Sequence, residues 1–214
     1  MAKYFKHRGV DNLVYARVTG DDNETDGGYK FGAVKPLAPV ARIGKTVETG
    51  SNTEFYDNAP MFVINSEGED EIEIEVTALP LEILAELTGK SYDDKTGAMI
   101  DGEREERYFA IGYRTKGTDG KYHYVWRLKG MFSIPDEENV TEDNGTETTG
   151  TTLTYTGIHT IHKFAKGKYD STTSAWTKGT AKGLIVDERK GLADVSNFFD
   201  SVVTPDTIKA KTAA

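Results

Sequence analysis

Three acids at alternate positions, Glu71, Glu73 and Glu75, stand in the segment DEIEIEV, and rows of carboxylates can build a general acid, a catalytic base or a hard-cation site. Side chains at i and i+2 on one strand face stand about 7 Å apart, a spacing that permits two carboxyls to act across a bond. Acid catalysis also needs one carboxyl isolated in an apolar pocket that raises its pKa, and nothing in the sequence isolates one of these. The row is therefore read as a solvated strand face or an electrostatic surface before a catalytic device.

The other chemical candidates fail on spacing. RIGKT, residues 42–46, has the ending of a phosphate-binding loop, but the loop needs a glycine where the chain has Pro39. His159 and His162, three apart, would point to opposite faces of a strand and supply two of the three or four ligands that zinc takes. Asp21, Asp22, Asn23, Glu24 and Asp26 could attract calcium, yet the EF-hand pattern with its closing glutamate is absent. There is no G-x-S-x-G elbow, and the absence of cysteine removes disulfides, thiolate metal sites and thiol nucleophiles together. No cofactor and no metal are expected.

Composition narrows the partners. With 37% apolar and 29% charged residues in 214, the chain can build one sizeable core and must carry long polar loops. A net charge of −9 counts against nucleic acid and anionic membranes as ligands, because phosphate affinity rests on clustered Lys and Arg. Lys163, Lys166 and Lys168 come nearest to a basic patch. No run of about 20 apolar residues exists to span a bilayer, and MAKYFKHRGVDNLVYARV lacks the apolar stretch of a signal peptide. One domain is expected over residues 1–200, followed by a mobile tail over 201–214 that is too poor in apolar residues to fold alone.

The elements that must position these groups are mostly strands. Residues 4–18 read as a first strand, and residues 33–45 as an extended segment leading into a long loop over 46–58. In residues 70–76, Ile72, Ile74 and Val76 alternate with the three glutamates, the period of a half-buried antiparallel strand. The period then changes: Pro80 suits the first helical position, Leu81, Leu84 and Leu87 give a packing face, and Gly89 stops the helix. Residues 107–114 and 121–134 form a hairpin around Asp119-Gly120, with Tyr122, Tyr124, Trp126, Leu128 and Phe132 assigned to one face. Tyr122, Tyr124 and Trp126 could instead be the stacking platform of a monomeric module that binds carbohydrate or another ligand; burial separates that reading from core. A Thr- and Gly-rich stretch around 146–152 precedes two further strands, and residues 191–203 could form a short helix. The fold class is mainly β, an antiparallel sandwich or barrel with one flanking α-helix.

Four segments in order, GVDNLVYARVTGDD, KPLAPVARIGKTVETGSNTEFYDNAPM, IEIEVTALPLEILAELTGKSYDDKTGAMID and YFAIGYRTKGTDGKYHYVWRLKGMFSIPDEENVTEDNGTETTGTTLTYTG, carry a resemblance that spans roughly residues 9–176. Together they resemble the major tail protein family of long-tailed, non-contractile bacteriophages. The resemblance implies a structural virion protein without catalytic activity. It implies rings of six, stacked into a hollow tail tube through which phage DNA passes into the host without specific binding. Its partners would be itself and other tail proteins, namely tape measure, tail terminator and distal tail protein. Its place would be the virion tail, after assembly in the host cytoplasm. On that reading Thr46, Glu48, Asn52, Glu54, Phe55, Tyr56, Asp57 and Asn58 are candidates for contact between rings. Glu71, Glu73 and Glu75 face either the lumen or the outside. The residues after Trp176 are too few for the roughly 100-residue immunoglobulin-like domain that some members carry, so smooth tubes are expected.

Overall fold

The computed structural model describes residues 4–23, 29–137 and 150–212. Glu24 and Asp26 of the acidic loop and residues 146–149 of the Thr- and Gly-rich stretch lie outside the described residues. In chain order the elements are β1 (His7–Arg17), β2 (Lys35–Pro36), β3 (Val40–Tyr56), β4 (Ala59–Val76), α1 (Leu81–Thr88), β5 (Ser91–Asp93) and β6 (Ala98–Ile100). There follow β7 (Phe109–Gly117), β8 (Tyr122–Phe132), β9 (Thr151–Gly157), β10 (Phe164–Asp170), β11 (Ala175–Gly179), β12 (Gly183–Asp187) and a 3-10 turn at Glu188–Lys190. The fold is mainly β, antiparallel throughout, with one α-helix, as the alternation and turn chemistry predict.

One sheet runs β2-β1-β7-β8-β9-β4-β3, and β12 joins it along the first half of β8. β8 therefore bears β7 on one side and, on the other, β12 at residues 123–127 and β9 at residues 130–132. The sheet curls until β3 comes back beside β1, and its concave face holds Leu13, Tyr15, Ile72, Ile74, Phe109, Ile111, Val125, Leu153 and Tyr155. A second core forms on the opposite face of β1, β7 and β8, from Val14, Ala16, Ala110, Trp126 and Leu128 under Phe164, Phe198 and Val202. Strands that are covered on both faces read as nearly unbroken apolar runs, LVYA and FAIGY, whereas β4, covered on one face, keeps the strict alternation.

Three expectations are corrected by the packing. Phe132 leaves the face of Tyr124, Trp126 and Leu128: a bulge in β8 between the pairs Ile111 with Arg127 and Phe109 with Gly130 shifts the side-chain parity, and Phe132 enters the first core beside Phe109 and Tyr155. Residues 191–203 form turns and no α-helix among the described residues; Phe198 and Val202 are pressed onto the outer face of β8, and this tertiary burial overrides local helix preference. The expected tail after residue 200 packs as well. Val202, Val203 and Ile208 join the second core, Thr204 and Thr207 bond to each other, and Ala210 bridges Ala193.

α1 starts after Pro80, which serves as its N-cap, and ends at Gly89 with φ 77°, the left-handed stop. Leu87 is buried and Ile83, four residues earlier, packs with it on the first core. Leu84 is half-buried and Leu81 is 48% exposed. Leu81 thus leaves the expected packing face, because at about 100° per residue it lies roughly 120° around the helix from Leu87. Glu86, on the polar side, is fixed by the Tyr15 hydroxyl at 2.8 Å and by Lys35 at 2.9 Å.

The bulge tolerates no side chain at Gly130, where an added Cβ would collide with the Tyr155 ring and the Thr156 carbonyl, while Gly44 has open space around it. Gly130→Ala is expected to cost about 1–3 kcal/mol in urea unfolding, and Gly44→Ala less than about 1 kcal/mol.

Candidate functional site

β3 and β4 have 17 and 18 residues, whereas β9, the only other strand paired to β4 among the described residues, has seven. β9 accompanies β4 over residues 70–76 and stops. Beyond Asp70 the β3–β4 ladder continues alone, from Thr49 with Glu67 to Tyr56 with Ala59, as a two-stranded arm about 25 Å long at ~3.3 Å per residue. Asp57 and Asn58 turn it with φ of 50° and 62°, both left-handed, the conformation of a tight two-residue hairpin turn and one that Asp and Asn tolerate. The expected loop over 46–58 is thus corrected to strand and turn. The polar composition of TVETGSNTE hid it, since its partner strand, not burial, holds it extended.

The end of the arm is apolar on both faces. Glu54 pairs with Phe62 and Asn52 with Ile64, and Tyr56 meets Phe62 edge to face on that side; Thr53 pairs with Val63 on the other. Phe55, Tyr56, Met61, Phe62, Val63 and Ile64 are each 53–65% exposed. Residues 61–64, MFVI, are the part of this surface that the sequence reading missed. An apolar run just after an Asp-Asn turn was the available signal.

The root of the arm is a buried ionic cluster. Asp70, 1% exposed, is the last residue of β4 to have β9 beside it. Its carboxylate accepts from Lys45 of β3 at 2.8 Å and from Lys182, just before β12, at 3.0 Å, and Arg127 of β8 stands 3.5 Å away. Lys182 also donates to Glu67 at 2.8 Å and to the Gly68 carbonyl at 2.5 Å, so it grips the first turns of the arm itself. Burial pushes the Asp70 carboxyl up, but the hydrogen bonds from Lys45 and Lys182 outweigh it and hold the group below the usual carboxylate range.

Glu71, Glu73 and Glu75 lie on the outer face of the same strand, opposite the buried Ile72, Ile74 and Val76. Thr152, Thr154 and Thr156 of β9 flank them on one side, and Arg42 reaches Glu75 at 2.7 Å and Glu73 at 3.5 Å from the other. The row is a polar face with no apolar enclosure. The remaining candidates are dispersed. Asp22 accepts from the backbone N–H groups of Ile161 and His162 and from Lys129 at 2.6 Å, pinning a loop. His159 lies 3.4 Å from the Thr180 hydroxyl, whereas His162 stacks on Tyr29. Residues 42–46 are inside β3. Among the described residues no cluster of three metal-ligating side chains occurs. The stacking platform is corrected to core: Trp126 is fully buried with its indole N–H on the Phe198 carbonyl at 3.0 Å, Tyr124 packs on Phe198 and Phe199, and Arg114 covers the Tyr122 ring.

The family model for phage tail tube proteins matches residues 57–181, more than half of the chain, and takes in β4, α1, the β7–β8 hairpin and β9. The chain belongs to the phage tail tube protein family. No curated protein matches it. As a tail tube protein it is a structural component of the virion tail. No helix among the described residues is long and apolar enough to cross a membrane.

The root cluster gives this tail tube protein an acid-sensitive element. Because the folded pKa of Asp70 is depressed, its contribution is fully present above the unfolded value near ~3.9 and is lost as pH falls through the folded value. Asp70→Asn should cost about 3–5 kcal/mol at pH 7 by leaving buried cations uncompensated. Urea unfolding at a series of pH values should show that the variant lacks the share of acid destabilisation that Asp70 supplies.

Proposed function

We propose that this tail tube protein polymerises with itself into hexameric rings that stack into a hollow tube for DNA passage, and that the β3–β4 arm is the contact from one ring to the next. The observation that carries this reading is the arm: a two-stranded ribbon apolar on both faces is marginal in water by itself, and six large side chains more than half exposed need a partner. Thr46, Glu48, Asn52, Glu54, Phe55, Tyr56, Asp57 and Asn58 contribute one strand and the turn, and residues 59–67 the other. α1 packs at the outside of the sandwich. Among the described residues β3 is hydrogen-bonded to β4 alone, and a neighbour in the same ring can continue the sheet along the part of its other edge that β1 does not approach. Residues 1–200, with 202–208 packed on their second core, act as one tube domain, and tape measure, terminator and distal tail proteins cap or fill the tube after assembly in the host cytoplasm.

Glu71, Glu73 and Glu75, with their threonine neighbours, form the channel face in this reading. Arg42 offsets one of the three charges, so the wall is mildly acidic. Duplex DNA carries about one charge per 1.7 Å of axis, and a wall of Lys or Arg would release its counterions and grip it. Repulsion screened within about 8 Å keeps the DNA moving without steering it.

Two experiments test the reading. Replacing Phe55, Phe62 and Ile64 by Ser should leave the urea midpoint of the monomer nearly unchanged, since these side chains are exposed, and abolish tubes in electron micrographs of concentrated protein. Normal tubes from that variant would refute the role of the arm. For the channel, tubes of the Glu71→Lys, Glu73→Lys variant should retain DNA during ejection at low salt and release it as salt is raised; unchanged ejection at low salt would place the row elsewhere.

A further inference from the structure

The arm is acidic as well as apolar. Residues 46–69 include Glu48, Glu54, Asp57, Glu67 and Glu69 and neither Lys nor Arg. The chain also carries a projection of the opposite charge. β10 and β11 form a two-stranded sheet separate from the main one, and residues 163–179 hold Lys163, Lys166, Lys168 and Lys178 against a single acid, Asp170. Four lysines in 17 residues contrast with the whole chain, whose net charge is −9.

The hairpin has an apolar centre to match. Tyr169 lies directly opposite Trp176, and the rings meet edge to face at 5.2 Å. That pair helps to hold the hairpin in register. It does not consume the rings, which stay 51% and 56% exposed, with Lys178 two residues along the strand on the face of Trp176. The corresponding face of the arm presents Tyr56, Phe62 and Ile64 around Glu54. Each surface thus has half-exposed aromatic rings beside charge, and the charges are opposite in sign. Among the described residues, arm and hairpin of one chain share no packed interface.

We propose that the β10–β11 hairpin of one copy receives the β3–β4 arm of a second copy, with Tyr169 and Trp176 against Tyr56, Phe62 and Ile64, and Lys178, on the face of Trp176, opposite Glu54 and Asp57. This rests on the arm being an intersubunit contact, and it names the surface the arm meets. Aromatic rings supply contact area at low entropic cost, and charge complementarity sets the register and rejects contacts of arm with arm.

A charge exchange tests the pairing. The hairpin variant Lys178→Glu and the arm variant Glu54→Lys, Asp57→Asn alter exposed positions apart from the half-buried Glu54, and Asn tolerates the positive φ at residue 57. Each alone should raise the protein concentration at which tubes form by about tenfold or more at low salt. The chain carrying all three changes should return to within about threefold of the unaltered protein. Assembly of the hairpin variant at the unaltered concentration, or failure of the combined variant to recover, would overturn the proposed partner. If the serine-substituted arm also assembles normally, or the unaltered chain stays monomeric at every salt and concentration, the failure lies in the tube reading itself.

Discussion

Asp70 sits where the sheet changes from many strands to two, and the reach of the molecule depends on it. Upstream residues of β4 have only β3 beside them; downstream residues have β9 as well and a core beneath. A ribbon emerging from a sheet would swing about that junction if backbone hydrogen bonds alone held it. The buried carboxylate instead draws in cations from β3, from β8 and from the segment leading to β12, and Lys182 extends the grip to Glu67 and Gly68. Ion clusters of this kind contribute little net stability compared with apolar packing, but they fix geometry, and a defined arm direction is what stacking requires.

The same junction explains why one sheet presents two kinds of surface. β1, β7 and β8 are buried on both faces, because the chain from Phe164 onward returns to cover their outer side. Among the described residues β4 and β9 receive no such cover, and their outer residues are Glu and Thr. A sheet covered at one half and bare at the other has an inside and an outside even before a neighbour is added. The bare half is polar enough to remain wetted, which suits a channel wall and not an adhesive interface.

Legibility in the sequence followed these physical divisions. The half-buried part of β4 was plain, since an aliphatic set alternating with Glu71, Glu73 and Glu75 admits one period. The α1 boundaries were also plain, because Pro80 and Gly89 act through local backbone geometry. What depended on distant partners was hidden. The arm strand over residues 46–56 has loop-like composition, and only pairing with β4 makes it extended. The parity change at the β8 bulge lies in one extra residue without a side-chain signal of its own except Gly130, whose missing Cβ admits Tyr155. The packing of residues 192–210 depends on a face of β8 that a one-sided reading of the hairpin had left outside, since Trp126 needs Phe198 to complete it. The tail tube family resemblance pointed to residues 46–58 as a proposed contact surface, and the structure sets the exposed apolar residues Met61 to Ile64 beside them.

The size of the apolar end sets how assembly must work. Fully burying a large apolar side chain contributes about 1.5–3 kcal/mol, and the six on the arm are already partly covered, so one arm can gain roughly 5–10 kcal/mol. Association costs about 4–15 kcal/mol in lost translational and rotational freedom. A single arm meeting a single copy is therefore close to break-even, and monomers should tolerate one another in solution despite carrying these surfaces. In the proposed ring the cost is met once while every copy contributes an arm, so the second and later contacts act at high effective concentration. An arm that is weak alone and strong in a set favours growth at the end of an existing tube over random pairing. On the proposed reading it would also let a chain of net charge −9 polymerise, because the apolar gain adds with each arm while repulsion between distant surfaces is screened within about 8 Å.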